Sequence, residues 1–134
     1  MNNLERNLEL IRNNAFVNAT GISLEMLEEN RAAFRLEIGP NHKNPYGSLH
    51  GGVFYTMADA AAGAAARTDG RDYVTQSGGL NFLRGQREGQ VRAEAVVRNR
   101  GRLTCLVEVT LTGGEGKLLA TGTLSFFCVS EDHR

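Results

Sequence analysis

Apolar positions along the chain repeat with two different periods, and the change of period divides it. Leu4, Leu8 and Ile11 recur at helical spacing, the stripe of a short amphipathic helix. After that the period is two. Ile22, Leu24 and Met26 alternate with polar neighbours, as do Phe34, Leu36 and Ile38, and a polar turn near Glu28 to Asn30 joins these strands. Residues 39–52, GPNHKNPYGSLHGG, are dense in Gly, Pro and Asn and read as a loop. That loop runs into VFYTMADAAAGAAART, rich in alanine and free of proline. The spacing predicts a helix from about Gly51 to Arg67, ended by Asp69-Gly70. It is apolar on nearly every side, the mark of a buried helix. Strands follow at Val74 to Leu83, Val91 to Arg98, Leu103 to Thr112 and Leu118 to Val129. Turns at Gly101 and Gly113-Gly114 make the last three antiparallel neighbours.

One long buried helix beside five to six antiparallel strands is an α+β arrangement, with a curved sheet wrapping the helix and a short helix before it. A length of 134 residues fits one domain over 1–134, and no repeat, linker or low-complexity tract divides it. Charge narrows the function. Fifteen basic and fifteen acidic residues balance to zero, so neither a nucleic-acid footprint nor a basic membrane patch is expected. No segment approaches the roughly 20 apolar residues of a membrane span. Cys105 and Cys128 each sit within an apolar strand pattern, which suits a reducing compartment better than a disulfide framework. With no signal-peptide pattern at the N-terminus, the expected location is the cytoplasm.

Candidate chemistry gathers between Asn44 and Asp59. His50-Gly51-Gly52 stands where the loop enters the long helix. The first turn of a helix offers free backbone N–H groups and a partial positive charge. Glycine lets a ligand approach that backbone closely. Together they make a site for the oxyanion formed when a carbonyl is attacked. Asp59 is a carboxylate on an otherwise apolar helix, costly unless it is used or paired. It suits a general base for water, or a nucleophile toward the carbonyl. Asp59 lies about 12 Å beyond Gly51, at about 1.5 Å per residue, so one carbonyl does not easily reach both in one chain. If the two cooperate, a homodimer with helices antiparallel about a two-fold axis, and two composite sites, is expected.

The string N-P-Y-G-S-L-H-G-G-x6-D-x3-G, Asn44 to Gly63, resembles the hotdog-fold thioesterases, most of all the PaaI-like branch that includes phenylacetate-pathway thioesterases. F-L-R at 82–84, V-R-N-R-G-R at 97–102 and G-K-L-L-A-T-G at 116–122 fall where that family has similar strings. The resemblance implies hydrolysis of an acyl- or aryl-CoA thioester to acid and free CoA. Asn44 would orient the nucleophile or the water, His50 would fix the loop, and the Gly51 N–H would polarise the carbonyl. Asp59 of a partner subunit would be base or nucleophile, with Thr75 positioning the water. Ser77, taken to share the Thr75 face, is the weaker candidate. Gly52, Ser77 and Phe82 would border the substrate, and the CoA arm would cross Asn99, Arg100, Gly101 and Arg102. No metal and no cofactor is implied, since CoA is part of the substrate. The partners are acyl-CoA and a second copy of the chain, as a homodimer or a homotetramer. Gly78-Gly79 departs from the bulkier residues the family has there, leaving room at an acyl pocket or marking a bulge.

Simpler readings stand beside these. His50 is a loop anchor more than a base, His42 a solvated loop residue, and His133 a tail residue. Asn44 precedes Pro45 and suits a turn. Arg100 and Arg102 also fit as hairpin surface charges, and Gly63 suits close helix packing at a dimer axis. Two rival functions remain: an acyl-CoA binding or sensing module without catalysis, and a hydratase or dehydratase acting on the acyl chain.

Overall fold

A computed structural model describes residues 1–130; His133 lies outside them. Six antiparallel strands form one sheet in the order β1-β2-β4-β5-β6-β3: β1 Ser23–Glu28, β2 Arg31–Glu37, β3 Tyr73–Phe82, β4 Gln90–Arg100, β5 Thr104–Thr112 and β6 Leu118–Cys128. Helices α1 (Asn3–Arg12) and α2 (Ala15–Thr20) precede the sheet, and α3 (Gly51–Ala66) lies across it. This is the α+β arrangement expected from the periodicity.

Alternation explains the sheet. In β5, Cys105, Val107, Val109 and Leu111 are buried while Thr104, Leu106, Glu108 and Thr110 face solvent. Phe34 and Leu36 of β2, and Val91, Ala93 and Ala95 of β4, complete the inner face. Alanines 58, 61, 62, 64, 65 and 66 are fully buried against that face, and their small side chains let helix and sheet approach closely. Register shifts at Leu24/Met26, Thr75/Ser77, Val97/Asn99 and Leu111/Thr112 bend the strands around the helix. Cys105 and Cys128 are buried free thiols.

Four details differ from the sequence pattern. The stretch after α1 forms a second helix, α2, capped by the Asn14 side chain. Leu4 is exposed, and the residue α1 buries is Asn7, whose amide donates to the Ala64 carbonyl of α3 (2.9 Å). Third, α3 is not apolar-covered all round. Gly52, Tyr55 and Asp59 form an exposed stripe along it at helical spacing. Finally, His42 is an anchor and not a solvated side chain. Its Nδ1 accepts the Gly39 N–H (2.8 Å), and its Nε2 is 2.5 Å from the Thr20 carbonyl.

Strand β3 is an edge paired only with β6, and Val74 to Gly79 are all exposed. The pair Gly78-Gly79 follows the bulge. A Cβ on Gly78 would sit 2.9 Å from Leu124 Cγ, so glycine there makes room for a core leucine. No helix among the described residues is long and apolar enough to cross a membrane.

Candidate active site

The entrance to α3 is built by hydrogen bonds that leave one donor over. His50 is the N-cap, and its Nδ1 accepts the Gly52 N–H (2.8 Å). Its own N–H donates to the His42 carbonyl (2.8 Å), and its carbonyl accepts from Val53 (2.9 Å) and Phe54 (3.3 Å). Among the described residues only the Gly51 N–H in this turn has no hydrogen bond. The loop before it is held by Asn44. Its Oδ1 accepts the N–H groups of Tyr46 (2.9 Å) and Ser48 (3.1 Å), an Asx turn around Pro45. Gly51, Asn44, Phe54 and Phe82 line one hollow of about 390 Å³. Phe82 stands edge-on to Phe54, ring centroids 5.3 Å apart, with its edge 3.6 Å from where a Gly51 Cβ would be.

Asp59 lies in a different hollow of about 270 Å³, with Thr75, Ala60, Gly63 and Arg67. The Thr75 hydroxyl donates to Asp59 Oδ1 (2.5 Å), leaving Oδ2 without a bond among the described residues. The carboxylate is exposed. A single chain therefore brings together Asn44, Gly51, Gly52 and Phe82 at the helix start, and separately Asp59 with Thr75.

Ser77 does not share the face of Thr75. The bulge at Gln76 pairs Thr75 with the core residue Phe126 but Ser77 with Ser125 on the opposite face. Gly63 sits between Arg67 Nη1 (3.2 Å from a Cβ there) and Phe126 (3.7 Å), so its smallness serves the guanidinium.

The stretch Asn99 to Arg102 lies at the other end of α3. Arg100 is not a surface charge. It donates to the carbonyls of Ala66 (2.8 Å) and Ala65 (3.3 Å), to Asn30 Oδ1 (2.9 Å) and Tyr73 Oη (3.0 Å), and pairs with Asp69 (2.7 Å). It caps the last carbonyls of α3. Beside it Arg71, 3% exposed, pairs with Asp69 (2.7 Å) and donates to the carbonyls of Gly101 (3.0 Å) and Arg102 (2.7 Å). Tyr73 donates its hydroxyl to Asp69 (2.6 Å). Burial pushes the Asp69 carboxyl up, but the Tyr73, Arg71 and Arg100 donors outweigh it and hold the group below its ordinary value. Burial, with Asp69 at hand, pushes the Tyr73 phenol up. Asn99 and Arg102 remain exposed. Among the described residues no cluster of His, Cys, Asp or Glu could hold a metal ion.

Two residues beside Asp59, Arg67 and Asn14, were not singled out from sequence. Their only signal was an arginine two turns past Asp59 and an Asn before a short apolar run.

Six antiparallel strands curved about one long helix, with a glycine helix start and an acid two turns on, define the hotdog class of thioesterases. The thioesterase superfamily matches residues 46–120, more than half of the chain, and the chain belongs to that family. Within it, the chain is 33% identical over 105 residues to 1,4-dihydroxy-2-naphthoyl-CoA hydrolase of Listeria monocytogenes, covering 74% of this chain and 83% of that one. It is 27% identical to the acyl-coenzyme A thioesterase PaaI of Escherichia coli over 83% of this chain and 80% of that one. The solved structure of Escherichia coli PaaI superposes with a TM-score of 0.91 at 23% identity, covering 96% and 94% of the two chains. The chain is thus PaaI-like in sequence and in fold.

Proposed function

We propose that this chain hydrolyses acyl-CoA thioesters as a homodimer, each site made from the α3 start of one subunit and Asp59 of the other. One observation carries the reading: the unbonded Gly51 N–H and the Thr75-held Asp59 occupy separate hollows of the same chain. Each is half of what thioester hydrolysis requires. The exposed stripe Gly52-Tyr55-Asp59 and the uncharged β3 edge from Val74 to Gly79 are the surfaces a second copy would cover.

In that site the thioester carbonyl oxygen accepts from the Gly51 N–H, helped by the positive end of the helix. Thr75 fixes Asp59 through Oδ1. The other oxygen takes a proton from attacking water, or adds to the carbonyl itself. Collapse of the tetrahedral intermediate expels the CoA thiolate, which in the first route takes the proton from Asp59; in the second route it leaves a mixed anhydride, which water hydrolyses to the free acid and Asp59. His50 acts through the helix start it caps, Asn44 through the loop it closes, and Phe82 walls the Gly51 hollow. Asn99, near the end of β4, and Arg102, in the turn that follows, are exposed and would meet the CoA phosphates; the bonds Arg100 makes to the helix end support a structural role for it. The relatives named as CoA hydrolases support the substrate class.

Release of free CoA from a panel of aryl and straight-chain acyl-CoAs tests the reading, with sedimentation of the same sample. Turnover by a dimer or larger assembly is expected. Tight binding without CoA release would point to a sensing module, and a fully active monomer would remove the composite site.

A further inference from the structure

The hollow beside Asp59 holds a cation that the hydrolytic chemistry does not use. Arg67 follows the last residue of α3, and its Nε donates to Asn7 Oδ1 (3.0 Å). Asn7 is 2% exposed and is itself fixed by its bond to Ala64, so the guanidinium is held from behind by a rigid partner. Among the described residues its two terminal nitrogens have no hydrogen-bond partner, and neither is sealed from solvent. Arg67 lines the same hollow as Asp59. Gly63, which lines the hollow too, makes room for the guanidinium, since a Cβ there would stand 3.2 Å from Nη1. Gly63 is one turn past Asp59, so the guanidinium stands roughly 6 Å further along the helix than the carboxylate.

The rest of the hollow suits an acyl chain. Val17, Phe34 and Phe126 are apolar walls. Asn14, the N-cap of α2, contributes to the rim, and because its Oδ1 accepts the Val17 N–H (3.2 Å), its amide NH₂ is left as a further donor. Burial depresses the arginine below its ordinary value, with Asp59 and Asp72 opposing and Arg6 adding to the fall. An anion beyond the thioester would complete the bonding of the guanidinium, in the bidentate geometry arginine offers a carboxylate.

We propose that Arg67 selects the acyl group: the hollow takes an acyl chain ending in a carboxylate, bound by the Arg67 guanidinium about one helical turn from Asp59. This rests on the thioesterase reading above and adds the substrate class. The residues that build the far end of the hollow, Asn14, Val17 and Phe34, lie outside the segment matched by the family.

The test compares adipoyl-CoA with hexanoyl-CoA, which match in length and differ in the terminal carboxylate. Wild type should favour adipoyl-CoA in kcat/KM by about 10-fold or more, the effect of a charge-assisted hydrogen bond. Arg67→Gln, which retains an amide donor for Asn7, should lower adipoyl-CoA turnover about 10- to 100-fold through KM and leave hexanoyl-CoA within about 3-fold. Arg67→Lys should fall between, and serves if the glutamine variant does not fold. Equal or better use of hexanoyl-CoA by wild type overturns the proposal. So does an equal loss on both esters in Arg67→Gln, which would mean that Arg67 acts only through Asp59. If neither ester releases CoA, the thioesterase reading fails by itself. Calorimetry with both esters then still decides, since equal affinity overturns the selectivity and preferential binding of adipoyl-CoA that Arg67→Gln abolishes upholds it.

Discussion

The two ends of α3 both gather polar groups and do opposite things with them. At the C-terminal end, Arg100, Arg71, Asp69, Tyr73 and Asn30 bond to one another and to the last helix carbonyls. At the N-terminal end, a similarly bonded loop leaves the Gly51 N–H over. Midway, Asp59 has one oxygen held and one unbonded. Saturated bonding is what a structural clamp needs, because an unpaired buried polar group is costly. A reacting group must keep capacity for the substrate. What separates the ends in function is satisfaction of their polar groups.

The largest effect should come from the unsaturated part. Asp59→Asn should lower kcat by about 10²–10⁴-fold, the range of general acid–base catalysis. Its thermal midpoint should stay near wild type, because the side chain is exposed. Unchanged turnover on every CoA ester tried would take Asp59 out of the mechanism.

The clamp should fail in stability instead. Arg100→Met should cost roughly 2–3 kcal/mol in denaturant unfolding, as charged hydrogen bonds are lost from buried carbonyls. KM for CoA esters should hardly change. A raised KM at full stability would return Arg100 to the CoA site.

Asp69 sharpens the same contrast through pH. Its folded-state pKa lies below the ordinary value, so its contribution is present above that value and is lost as pH falls through the folded-state pKa. Wild type should therefore lose stability as pH drops below about 4, the unfolded carboxyl range. Asp69→Asn, less stable near neutrality, should lose less over that window. Parallel acid curves for the two proteins would assign the acid sensitivity elsewhere.

The smallest effect belongs to His50. Removing a cap in His50→Ala should cost about 1 kcal/mol, and the pH dependence of kcat should keep its shape. Loss of a titrating limb would make His50 a base.

Fold and site were legible to different depths. The alternation of β5 and the alanines of α3 follow from burial on one face, which sequence period reports directly. Gly51 and Asp59 stand out in the sequence because both lie on one helix, where spacing translates into distance. The bonding of Arg100 is not legible in the sequence because its partners, Asn30, Ala65, Ala66 and Asp69, are remote from a residue that looks like any hairpin arginine. Ser77 was placed on the wrong face because a bulge breaks the period without a clear mark at Gln76. His42 looked solvated for the same reason as Arg100: Thr20 and Gly39 meet it only once the chain has folded.

The composite site is the central claim, and subunit mixing tests it most directly. Gly51→Pro removes the free N–H at a helix position where proline is tolerated, and Asp59→Asn removes the acid. Each variant alone should be nearly inactive. Co-refolded in equal amounts as dimers, they should recover about a quarter of wild-type kcat, since half of randomly paired dimers carry one intact site of two. Mixed assemblies shown by mass to have formed, yet no more active than their parents, would contradict the account.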